Sequence, residues 1–141
     1  MTKLPATNSR LENITLLTVN SNVEDRQSLL SILDSNGWTI QGAKSIREAI
    51  RLLKDRPSLI LCEQNLPDGS WKDIFREAQK LDNPAPFVVV SRSADERLWA
   101  EVLNLGGFDV LLRPFVRNEV ERVMNMACRH TVPEHAFCAA S

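Results

Sequence analysis

Short apolar runs alternate along this chain with stretches whose apolar positions recur every three or four residues. Residues 14–19 (Ile-Thr-Leu-Leu-Thr-Val), 38–40, 58–62, 87–90 and 110–112 read as strands, short and rich in β-branched and aliphatic residues. The intervening stretches read as helices with a one-sided apolar stripe. The first, 23–35, carries Val23, Leu29, Leu30, Ile32 and Leu33, and Gly37 supplies its exit. The second follows Ser45, with Glu48 three residues on as a capping box, and aligns Ile46, Ala49, Ile50 and Leu53. The third, 71–81, turns Ile74, Phe75 and Ala78 inward, and the fourth, 95–105, buries Leu98, Val102 and Leu105 before Gly106-Gly107 stops it. The fifth is 117–128. Strand and helix alternate over short loops, which predicts a parallel sheet with helices on both faces and right-handed crossovers.

The stretch that organises the rest is 57–70, Pro-Ser-Leu-Ile-Leu-Cys-Glu-Gln-Asn-Leu-Pro-Asp-Gly-Ser. Its apolar run reads as a strand buried on both faces. It ends on one charged residue, Glu63. A turn follows, and Ser70 caps the next helix. Open α/β sheets collect their strand exits along one edge, where ligands bind. Here that edge holds Asn20 and Ser21, Gly42, Glu63, Ser91 and Arg113. The pattern by itself leaves a second reading open, that Glu63 only marks the strand's exit into solvent.

Composition narrows the class. The chain has 141 residues, a formal net charge of −1 and 25% charged residues, so it fits one ordinary globular domain. That domain is expected at 13–130, between a loose polar arm at 1–12 and a frayed tail at 131–141. Nothing in the charge balance points to nucleic acid. The N-terminal residues do not read as a signal peptide, and no window approaches the apolar length of a membrane span. Cys62 lies inside a core strand, and Cys128 and Cys138 add no metal-type spacing, so reduced thiols in a cytoplasmic setting are expected. His130 and His135 are isolated, and no metal site is expected.

Two segments carry a resemblance: 57–69, quoted above, and 106–115, Gly-Gly-Phe-Asp-Val-Leu-Leu-Arg-Pro-Phe. With the spacing of all five strand–helix units, they resemble the receiver domains of two-component response regulators, over about 13–130. The resemblance implies a flavodoxin-like, doubly wound sheet of order 2-1-3-4-5 with five helices. It also assigns positions. Glu63 falls where the family has its phosphorylated aspartate. Asn20 and Ser21 fall where it has the acidic pair that helps hold Mg²⁺. Ser91 takes the switch hydroxyl position, Arg113 the lysine position and Val110 the switch aromatic position. Arg92 stands where a small residue is usual, and Trp71 opens helix three in place of another, as a shield for the pocket rim.

These departures bear on chemistry. Mg²⁺ sheds water reluctantly and needs anionic oxygens to draw it in. Asn20 and Ser21 offer neutral oxygens, and the guanidinium of Arg113 opposes any cation, so Mg²⁺ is not expected as a cofactor. Without metal, a transferring phosphoryl group lacks its main stabiliser. Glu63 also carries its carboxylate about 1.3 Å further out than aspartate would. The chain is thus expected to be a stand-alone pseudo-receiver in phosphorelay signalling, not an enzyme, with Glu63 paired to Arg113 either as a fixed mimic of the charged state or as a structural anchor. Its partner is expected to be a protein, a histidine kinase or another signalling protein, or a second copy meeting it through helix four, strand five and helix five. Trp99 and Arg92 are the candidate contact residues, and neither nucleic acid nor membrane is expected. Two alternatives stand beside this reading: a phosphotransfer-competent receiver modified at Glu63 or elsewhere, and a small-molecule or anion binder with its pocket between Ser91 and Arg113.

Overall fold

The computed structural model describes residues 15–33, 38–92 and 95–131, with side chains as far as Ala127. Five parallel strands form one sheet: β1 (Thr15–Val19), β2 (Thr39–Ala43), β3 (Leu59–Glu63), β4 (Phe87–Ser91) and β5 (Asp109–Leu112), in the order β2-β1-β3-β4-β5. The helices are α1 (Val23–Leu33), α2 (Ile46–Leu52), α3 (Trp71–Ala78), α4 (Glu96–Leu105) and α5 (Arg117–Thr131). A two-residue hairpin, Asn65–Leu66 against Gly69–Ser70, links β3 to α3. The parallel sheet with helices on both faces is what the alternation of strand and helix implied, and the flavodoxin-like order is what the family resemblance implied.

Strand parity sorts the core into two layers. Leu16, Leu59, Leu61, Val88, Val90 and Leu111 face α1 and α5, where Leu29, Leu33, Val120, Val123 and Met124 meet them. Leu17, Val19, Ile60, Cys62, Phe87 and Val89 face the opposite layer, with Ile46, Ile74, Phe75, Leu98 and Val102. The central strands β3 and β4 are buried along their whole length, so they carry apolar side chains at both parities. At register, Glu63 pairs with Val90 and Ser91 with Leu112, which places these exits together on one edge.

The elements differ in detail from the periodicity. The second strand begins at Thr39 and runs on to Ala43, while Trp38 precedes it and packs into the α1/α5 layer. Helix three ends at Ala78, short of Leu81. Val23, Ile50 and Leu105 are exposed rather than part of the buried stripes, because each lies at the margin of a helix that only its neighbours' arc brings against the sheet. Trp71 does not shield a pocket rim. It is 2% exposed, and its ring packs with Phe75 and Phe87, at centroid distances of 5.8 and 6.1 Å. An aromatic at the first helical position enters the core here because Ser70 turns the chain inward just before it.

Apart from that of α2, the caps are local. Ser70 and Asp73 form a reciprocal capping box on α3. On α2 the box is split. Ser45 Oγ accepts from the Glu48 amide at 3.2 Å, but Glu48 Oε1 accepts from the Lys44 amide at 2.7 Å, one residue earlier than a reciprocal box would place it. Asp68, from the hairpin, completes that terminus by accepting from the amides of Ile46 and Arg47 at 3.0 and 3.3 Å. Helix α4 ends in a Schellman turn: Gly106 is left-handed at φ 107°, and the Gly107 amide reaches Val102 O at 2.7 Å. Helix α5 runs on to Thr131, past the end expected at 128. The expectations for the arm at 1–12, the Gly37 exit, the tail beyond Thr131, and the side chains of Cys128, His130, His135 and Cys138 lie outside the described residues.

Candidate functional site

The site is assembled from the exits of β1, β3, β4 and β5. After β1, Asn20 is buried, and its amide donates to Ala43 O at 2.9 Å. Its side-chain Oδ1 accepts from the Asn22 amide at 2.8 Å, and its carbonyl accepts from Arg26 Nη2 at 2.9 Å. Asn22 Oδ1 in turn accepts from the Asp25 amide at 2.9 Å and so caps α1. These bonds hold the β1–α1 loop as a rigid turn and aim Ser21 at β3.

Glu63 ends β3 and shares the parity of Leu59 and Leu61, so its side chain leans toward the α1 side of the sheet. There both of its oxygens are engaged. Oε1 accepts from the Ser21 amide and from Ser21 Oγ, each at 3.0 Å. Oε2 accepts from Arg113 Nη1 at 3.2 Å. The same Nη1 donates to Asp25 Oδ2 from the first turn of α1. The guanidinium therefore lies between two carboxylates. The side chains of Arg113, Glu63 and Asp25 are 8%, 11% and 23% exposed, so the three charges are largely sheltered from water. The Arg113 amide is tied to Ser91 O at 2.9 Å, and the Arg113–Pro114 peptide is cis.

The remaining predicted positions fall around this cluster. Ser91 is buried and its hydroxyl donates to Gln64 Oε1 at 3.1 Å. The Gln64 amide donates to Val90 O at 2.9 Å and its carbonyl accepts from the Trp71 amide at 3.0 Å, so Gln64 joins β3, β4 and α3. Beside Glu63, burial and the neighbouring carboxylate charge push the Cys62 thiol far above its ordinary range, so it stays protonated and unreactive. Val110 packs at the margin of the α4 layer, and Arg92 is exposed. Trp99 is 52% exposed, and its indole N–H donates to Asp109 Oδ1 at 3.2 Å. It lies in a groove of about 300 Å³ between α4, β5 and α5, with Val110, Leu112 and Arg122. Across this face the Arg122 guanidinium grips Glu119, holding that carboxyl below its ordinary range and raising its own.

Asp25, Arg26 and Gln64 were not singled out by sequence. Asp25 reads as an acidic residue in a helix's first turn, a common complement to the helix dipole. The available signal was its place one helical turn beyond Ser21, within reach of a long cation from β5. Among the described residues no cluster of three or more His, Cys, Asp or Glu side chains is arranged to hold a metal, and no helix is long and apolar enough to cross a membrane.

The family model for the response regulator receiver domain matches residues 16–125. The chain belongs to the response regulator receiver domain family, the signal-receiving module of two-component systems. It is 27% identical over 124 residues to the response regulator MprA of Mycolicibacterium vanbaalenii, a match covering 86% of this chain and 53% of that protein. The chain thus spans about half the length of that relative. It is 26% identical over 102 residues to the chemotaxis protein CheY of Thermotoga maritima, covering 71% of this chain and 85% of CheY. Among solved structures it resembles the receiver domain of Saccharomyces cerevisiae Ssk1, crystallised with the histidine phosphotransfer protein Ypd1. That match has a TM-score of 0.76 at 20% identity and covers 88% of this chain and 95% of that one. It also resembles the receiver domain of the Pseudomonas aeruginosa sensor histidine kinase PA1611, whose structure has magnesium in the active-site cleft. There the TM-score is 0.73 at 23% identity, covering 82% of this chain and 98% of the other.

Proposed function

We propose that this chain is a degenerate receiver whose signalling does not depend on phosphorylation, and which acts by binding a protein partner through α4, β5 and α5. The observation that carries this is the engagement of Glu63. One oxygen is held by two Ser21 donors and the other by Arg113. A nucleophilic carboxylate would have to break these contacts to attack in line.

The residues present do not fit a divalent ion. Asp25 and Glu63 both face the Arg113 cation, Ser21 points donors at the site, and the Asn20 carboxamide oxygen is taken by the Asn22 amide. Mg²⁺ binding would require displacing a guanidinium already paired to both carboxylates. Glu63 instead sets a carboxylate at the end of β3. Held by Arg113, it supplies a fixed version of the charge that phosphorylation brings to an aspartate, and the domain rests in one signalling state. A histidine kinase, a phosphotransfer protein or another signalling protein in a reducing cytoplasm is a suitable partner, the kind of pairing seen in the Ypd1–Ssk1 complex.

Intact-mass measurement after treatment with a small phosphodonor, with and without Mg²⁺, tests the reading. The expected result is an unchanged mass. A stoichiometric gain of one phosphate that disappears on removing Mg²⁺ refutes it and favours a phosphotransfer-competent receiver.

A further inference from the structure

Helix α4 is flanked by two grooves of opposite charge. On its α5 side the Trp99 groove carries Asp95, Glu96, Asp109 and Glu119 against Arg122, the one cation among its described lining residues. On its α3 side runs a larger groove of about 940 Å³, with Phe75 and Leu105 among its lining residues and Lys72, Arg76 and Arg97 along its walls. Glu101, the acid in this groove, is neutralised by an ion pair with Lys72. Arg76 is 67% exposed and, among the described residues, pairs with Asp73 Oδ1 at 3.5 Å, while Asp73 Oδ2 accepts from the Ser70 amide. Arg97 has its amide capped by Asp95, and its residue lies exposed on the α4 wall. The lining carries Lys72, Arg76 and Arg97 against Glu101, an excess of positive charge beside Leu105, which is 50% exposed.

We infer that the α3/α4 groove is a docking site for an acidic amphipathic segment of a partner protein, separate from the Trp99 face. Arg76 on α3 and Arg97 on α4 line the groove from its two walls, so they meet carboxylates on either side of a segment laid along it. Phe75 and Leu105 receive the apolar side chain that faces inward. The opposite charge on the far flank of α4 directs such a segment to the α3 side and repels it from the other, so the two flanks discriminate by sign. This inference does not rest on the phosphorylation state of Glu63.

The test is selection of a random peptide library displayed on phage against the full chain, followed by measurement of a synthesised binder. The expected peptides combine Asp or Glu with Leu, Phe or Trp. Binding of such a peptide is expected to fall about ten-fold or more in Arg76→Glu/Arg97→Glu, to weaken with rising salt, and to be unchanged in Trp99→Ala. Both arginines are exposed, so the thermal midpoint should hold; Arg76→Gln/Arg97→Gln serves if charge reversal disturbs the fold. Enrichment of basic peptides, binding lost in Trp99→Ala but kept in the arginine variants, or no enrichment above the bare support each overturns the inference.

Discussion

At the scale of single residues, the centre of this protein is one cation between two anions. Arg113 pairs with Asp25 and Glu63 at once, one positive charge against two negative ones, and the three depend on each other. Arg113→Met leaves two sheltered carboxylates facing one another and should cost on the order of 3 kcal/mol in denaturant unfolding, toward the low end for a buried pair because Asp25 retains some water. Glu63→Gln should cost less. Its amide oxygen still accepts from Ser21, and Arg113 keeps Asp25. Adding Asp25→Asn to the Glu63→Gln variant strands the cation and should cost more than either change alone, while Arg113→Met in that background should recover part of the loss. Strictly additive effects would show that the cluster is not a cooperative unit. The pairing of Glu63 with Arg113 was foreseeable from two long, opposite charges at the exits on either side of β4, long enough to reach across it. Asp25 was not, because an acidic first turn has a sufficient local explanation and its distance to Arg113 is set only by the fold.

At the scale of elements, two termini make predictions. The Asp68 carboxyl is held below its ordinary value, chiefly by the Ile46 amide at the N-terminus of α2. A carboxyl depressed on folding stabilises above its unfolded pKa, and that contribution is lost as pH falls through the folded value. Between about pH 5 and about pH 2 the wild type should therefore lose more stability than Asp68→Asn, read as the difference of two pH–stability curves; parallel curves would show that the cap carries no pH dependence. At the other end of the molecule, a Cβ on Gly107 would lie 2.5 Å from Val102 Cγ1 and 2.9 Å from Val102 O. The carbonyl is backbone and cannot swing aside, so Gly107→Ala should destabilise by about 1–3 kcal/mol and loosen the α4–β5 connection, measurable by urea unfolding. An Ala variant with unchanged stability would mean that the Schellman turn gives way easily. The stop signal of Gly106-Gly107 was legible in sequence, whereas the reason the second position tolerates no Cβ is a contact made only by the packed turn.

For the whole molecule, the exposed indole of Trp99 separates folding from recognition. It is half in water, and its contact with Asp109 is a single hydrogen bond, so Trp99→Ala should move the thermal midpoint by less than about 4–8 °C, the shift that ~1 kcal/mol produces in a domain of this kind. If the α4–β5–α5 face is the partner surface, the same variant should weaken association by about 2 kcal/mol, whether the partner is another protein or a second copy. Sedimentation of the purified chain across a concentration series separates the two. A large loss of stability with unaltered association would return Trp99 to the core. Charge is arranged at this scale as well, since the two flanks of α4 differ in sign although the chain's formal net charge is only −1.

The class of fold, its strand order through the family resemblance, and the gathering of Asn20, Ser21, Glu63, Ser91 and Arg113 at one edge follow from sequence. Hydrophobic period and turn residues are local signals, and parallel strands must exit together. Tertiary structure decided the rest. Trp71 became core and Leu105 surface because a helix's buried arc depends on what packs against it. The split cap of α2 borrows Asp68 from a distant hairpin. Asp25 joins Glu63 through Arg113 only because the fold brings α1 beside the end of β5, a proximity between residues 88 positions apart that no local pattern encodes.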